Sequence, residues 1–138
     1  MAVAILSVMG AACDDGDTAT TDDAMVRADE VCDAAHPELE DIATGATEDD
    51  AVTALNGTLD VLEQALADLR AIGYPAEEAG ELDGVLAEIA DSLIQARSAI
   101  SRADATDAVD VAEDAYPAAR FTDQLYELGF PANCANLF

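Results

Sequence analysis

The chain has 138 residues, enough for one domain, with 51% hydrophobic residues to fill its core. Five Arg, no Lys and thirty acidic residues leave a net charge of −25, a surface that repels nucleic acid and so excludes nucleic-acid binding. Three Phe, three Tyr and no Trp leave a core of Leu, Ile, Val and Ala, which favours helix packing over a β-sandwich.

Residues 1–12 (MAVAILSVMGAA) are apolar and uncharged, and Cys13 follows. A stretch of that length is too short to span a bilayer, which takes about 20 residues. It suits the apolar region of a signal peptide, and Gly10-Ala11-Ala12 is the run of small residues that a cleavage site needs. Asp14 to Asp23 (DDGDTATTDD) holds no large apolar side chain and reads as a disordered acidic tether. The expected organisation is a leader over 1–12, a tether over 13–23 and a helical domain over 24–138.

A Cys directly after small residues resembles the lipobox of bacterial lipoproteins. That resemblance implies lipid attachment to Cys13, cleavage before it, and anchoring at the outer face of the cytoplasmic membrane. The chain departs from the pattern at Gly10, where the family prefers an aliphatic residue, and in a leader without Arg or Lys. An ordinarily secreted protein, or a cytosolic one with an apolar start, remains an alternative reading of the same residues. In organisation the whole chain resembles the small exported lipoproteins of high-GC bacteria: a leader ending in Cys, an acidic spacer, and a helical domain with a Cys near each end.

The first helix is expected from Asp22 to Ala43, with Ala28, Val31, Ala35, Leu39 and Ile42 inward and Pro37 kinking or dividing it. The second carries the narrow seam Val52, Leu55, Leu59, Leu62, Leu66 and Leu69. Thr47 can cap it, Glu48, Asp49 and Asp50 suit its dipole, and Asn56-Gly57 is its weak point. The third begins at Pro75 and carries Leu82, Leu86, Ile89, Leu93, Ala96 and Ile100. Gly80 and Gly84 share one of its faces; either a neighbouring helix approaches closely there or the first turns fray. The fourth runs from Thr106 to Leu128 with Val109, Ala112, Tyr116 and Ala119 inward, then Phe121, Leu125 and Leu128 after a phase shift near Pro117.

Two segments match: Leu69 to Ala76 and Leu125 to Ala132 both read Leu-x-x-(Ile/Leu)-Gly-aromatic-Pro-Ala. Each is a helix stop. Gly73 or Gly129 takes the left-handed conformation, Tyr74 or Phe130 folds back onto Leu69 or Leu125, and Pro75 or Pro131 forbids continuation. The match records either one stop used twice or a duplicated helical hairpin. Four helices with short connections imply an all-α, antiparallel up-down four-helix bundle with its first and fourth helices kinked by proline. The tail from Phe130 to Phe138 then turns back along the first helix and brings Cys134 towards Cys32. In an exported chain that pair reads as a disulfide; in a reducing cytosol it is two buried thiols.

No catalytic constellation is legible. The one His, His36, has no nucleophile at a telling spacing and reads as a surface or capping residue. Two distant Cys and one His make no zinc site, and a di-iron bundle needs a second His. Asp14-Asp15-Gly16-Asp17 lacks the spacing of an EF-hand, so weak cation association is all it implies. No phosphate-binding glycine loop is present, and no cofactor is expected. The functional expectation is a non-enzymatic cell-envelope module. Its alternative is a soluble acidic helical adaptor that binds a basic protein partner.

Overall fold

A computed structural model describes residues 21–138. The described chain is all-helical, without strands. Its elements are α1 (Thr21–Gly45), a 3₁₀ turn (Glu48–Asp50), α2 (Ala51–Arg70), α3 (Ala76–Arg102), α4 (Ala108–Ala115), α5 (Ala118–Glu127) and the short α6 (Ala132–Ala135). No helix among the described residues is long and apolar enough to cross a membrane.

The seams of α2 and α3 lie where their spacing puts them. Leu59, Leu62, Leu66 and Leu69 are buried from α2, and Leu82, Leu86, Ile89, Leu93, Ala96 and Ile100 from α3. Each large side chain removed from water there stabilises the fold by about 1.5–3 kcal/mol before chain entropy is subtracted. Phe121 and Leu125 of α5 complete this core at 0% exposure, and no polar or charged residue is buried among the described residues.

Several local expectations are corrected. The expected tether and first helix overlap at Asp22 and Asp23, and the helix takes both: they lie in the first turn of α1, where carboxylates suit the positive end of the dipole. Thr47 makes no capping bond: its Oγ1 donates to Asp50 Oδ2 at 3.0 Å, and residues 48–50 form the 3₁₀ turn instead of the start of α2. α2 runs through Gly57 as one helix, as expected. A Cβ there would make an ordinary contact, 3.5 Å from Ile42 Cδ1, and a Cβ at Gly80 or Gly84 would meet nothing within 4 Å, so no close helix approach depends on these glycines.

Where one fourth helix is expected, two are found, with Tyr116 and Pro117 between them in non-helical conformations. Proline cannot donate to the carbonyl one turn back and crowds it, and here the chain answers by stopping and restarting. The phase of α4 also differs from the expected stripe. Ala108 and Ala112 face inward, whereas Val109 is 43% exposed and Ala119 is exposed. By contrast, α1 continues through Pro37.

Consecutive helices pack side by side, α1 on α2, α2 on α3 and α3 on α4, with α3 also meeting α5. The C-terminal α6 packs on both α5 and α1 and so closes the ring.

Candidate functional site

The two domain cysteines meet. Cys32, on the inner face of α1, and Cys134, in α6, are disulfide-bonded with Cα atoms 5.1 Å apart across 102 residues of sequence. Both are fully buried. The pairing requires the chain after Gly129 to reverse, and the second stop provides that reversal. Gly129 has φ +80, its N–H donates to Tyr126 O at 3.0 Å, and the Phe130 N–H donates to Leu125 O at 3.0 Å. These are the two bonds of a Schellman stop, and Pro131 then starts the turn that leads to α6.

The first stop is built differently, although its sequence matches. Gly129 is the one described residue with positive φ, so Gly73 does not adopt the left-handed conformation. α2 ends instead by tightening, with the Ile72 N–H donating to Leu69 O at 3.2 Å. The aromatics of the two stops meet each other: the Tyr74 and Phe130 rings lie 6.1 Å apart at 43°. Pro75 stands just before α3, at its N-cap.

Around the disulfide lies a polar seam that the sequence did not announce. Asn133 Nδ2 donates to Asp33 Oδ1 at 2.6 Å and to Asp29 O at 3.4 Å, and Asn133 Oδ1 accepts from the Cys134 N–H at 2.9 Å. His36, half-buried one helical turn beyond Cys32, places Nε2 2.9 Å from Asn133 O. Neither a lone Asn nor a lone His carries a spacing signal, and their partners are about 100 residues away. The expected surface role of His36 thus becomes a clamp between α1 and α6.

A second feature is a notch of about 230 Å³ between the start of α1, the start of α3 and the end of α5. Met25, Leu82, Leu128 and Phe130 form its apolar part, and Glu77, Glu78, Glu81 and Glu127 its rim. No Arg lines it; Arg97 pairs with Asp60 and Glu63, and Arg120 with Glu88. Glu77 and Glu81 suit the N-terminus of α3. Glu127 stands in the last turn of α5, which has no basic residue, and there the helix dipole disfavours a carboxylate.

Among the described residues, three buried polar atoms have no hydrogen-bond partner: Tyr74 Oη, Tyr116 Oη and Gln124 Oε1. Burial, with a smaller contribution from Asp83, pushes the Tyr74 phenol up to about 12, and burial alone raises that of Tyr116 further. Among the described residues no group of three or more His, Cys, Asp or Glu is placed to hold a metal ion. Cys13, Gly10, the leader and Asp14 to Asp17 lie outside the described residues.

Comparison with models of known protein families, with curated proteins and with solved structures finds no match to this chain.

Proposed function

We propose that this chain is a non-enzymatic lipoprotein of the cell envelope. Residues 1–12 are its leader, Cys13 takes the lipid, an acidic spacer follows, and the helical domain is a binding or structural module. The observation that carries the reading is the Cys32–Cys134 disulfide. Such bonds persist in oxidising compartments. This one uses both cysteines of the domain and leaves Cys13, behind its apolar stretch, for another role. In the same reading α1, α2, α3 and the α4–α5 pair are the four legs of an up-down bundle, with Pro37 bending the first and Pro117 the last. The test is the intact mass of the protein from the host's membrane fraction, with and without reduction and alkylation. A chain beginning at a diacylglyceryl-modified Cys13, with two further thiols released by reduction, supports the reading. A full-length soluble chain with three free thiols overturns it.

The second reading, a soluble acidic adaptor for a basic protein, draws support from the notch. Among the described residues no cationic side chain lines the notch beside Glu77, Glu81 and Glu127, and an apolar surface lies beside them for the stem of a Lys or Arg. A mixed Lys/Leu peptide should then bind with strong salt dependence, and Glu81→Gln with Glu127→Gln should weaken it. Salt-dependent binding that ignores both substitutions would reflect only the general negative charge.

A further inference from the structure

The C-terminal segment holds α1 to the far side of the bundle. α1 packs on α2 along one flank and on α6 along the other, and α6 leads back to α5. On its buried face α1 offers Ala24, Ala28, Cys32 and Ala35. Side chains this small bury little apolar area of their own, so on the α1 side the seam leans on bonds, while the C-terminal segment buries Phe130, Leu137 and Phe138 in the core. The bonds are the disulfide, the Asn133 side-chain bonds to Asp33 and Asp29, and the contact between His36 and Asn133 O. The buried leucines and isoleucines of α2 and α3 share one core cluster with Phe130, Leu137 and Phe138 of the segment.

The position of the sulfurs adds a kinetic consequence. A thiolate must reach a disulfide sulfur directly to break it, and both cysteines, one on α1 and one on α6, are 0% exposed. Gly129, with φ +80, is the point at which the segment leaves α5.

We infer that residues 129–138 form a redox-gated latch, which a dithiol reductant opens only after α6 lifts from α1. One thiolate of the reductant attacks a protein sulfur to form a mixed disulfide. Its second thiol then displaces the protein cysteine, and the reductant leaves as a cyclic disulfide. Two electrons pass to the protein, and Cys32 and Cys134 each take up a proton. With the bond gone, the segment is held only by its buried side chains and the Asn133 bonds, and it opens about Gly129 more often while α2 and α3 stay folded. The inference holds whether or not Cys13 carries a lipid.

The test uses the full chain with the Cys13 thiol blocked by alkylation. Reduction by dithiothreitol is followed by quenching, alkylation and intact mass, in native buffer and in denaturing urea. The native rate should fall below the urea rate by about a hundredfold, the cost of local opening. Asn133→Ala removes the side-chain bonds of the seam and should raise the native rate about tenfold, with the urea rate unchanged. On reduction, amide exchange at residues 132–138 should rise about tenfold or more, with α2 and α3 protection retained. Equal rates in buffer and urea would overturn the gate. A reduced protein that keeps its C-terminal protection, or loses protection throughout, would overturn the latch. The rate comparison on the unsubstituted chain decides the gate even if Asn133→Ala fails to fold.

Discussion

Gly73 and Gly129 occupy the same place in two matching stop sequences, yet alanine should act oppositely at the two. At Gly129, φ is +80 and a Cβ would touch nothing within 4 Å, so the penalty is purely one of backbone conformation. A left-handed L-residue costs about 1–2 kcal/mol. Alanine also lowers the entropy of the unfolded chain, which returns about 0.4–1 kcal/mol. Gly129→Ala should therefore destabilise by about 0.5–1 kcal/mol. Gly73 lacks a positive φ and also faces open space, so only the unfolded-state gain remains. Gly73→Ala should stabilise by about 0.4–1 kcal/mol. The two variants then differ by roughly 1–2 kcal/mol. For a domain of about this size, each kcal/mol moves Tm by about 4 °C, so the gap is about 4–8 °C. Urea and thermal unfolding of the oxidised proteins measure it directly. Equal stability of the two alanine variants, or a destabilised Gly73→Ala, would refute the assignment of different geometries to the two stops. Gly129→Asn supplies a control and should lose less than Gly129→Ala, because Asn tolerates the left-handed region.

Adjacent positions on α3 give another contrast. Leu93 is fully buried and Ile94 is 63% exposed, so Leu93→Ala should cost about 3 kcal/mol and Ile94→Ala less than about 0.5, read by urea denaturation. Arg97→Met removes the pairs with Asp60 and Glu63, the first at 2.7 Å, yet all three groups are well exposed. Its cost should stay below about 1 kcal/mol and shrink further in added salt. The folded-state phenols of Tyr74 and Tyr116 are raised above the ordinary value of 10.0. The stability this represents is therefore fully present below pH 10 and is lost as pH rises through the folded values. Near-ultraviolet titration should show Tyr74 ionising near 12. Two tyrosinates appearing early in a still-helical protein would contradict their burial.

How much could be read from the chain depends on the range of the interactions involved. The seams of α2 and α3 follow from the 3.6-residue period alone, since one face must leave water wherever the partner stands. Their Leu and Ile residues, from Leu59 to Ile100, are buried as the spacing predicts. α4 was legible only in part. A stripe of Ala and Val is nearly as apolar on one face as on the next, so its rotation waits for the neighbours, and these bury Ala108 instead of Val109. Pro117 announced an interruption, but whether a helix bends or restarts depends on what packs across the gap. Here Tyr116 leaves the helix and its ring lies 5.3 Å from that of Phe121, tilted at 54°.

The candidate site divides along the same line. The disulfide was readable as one of two options, because a tail that turns back along the first helix brings Cys134 towards Cys32. The clamp around it was not, because Asn133, His36, Asp29 and Asp33 acquire meaning only when α6 lies on α1. The acidic notch was equally hidden: Glu77, Glu81 and Glu127 are three among thirty acidic residues until the ends of α3 and α5 converge. The sequence by itself determined the helical class and the main seams, because local periodicity dictates them, and it offered the cysteine pair as a disulfide or as two buried thiols. Only the tertiary structure decided which glycine turns left-handed, which face of α4 is inward and what guards the disulfide, because each depends on contacts between residues far apart in the chain.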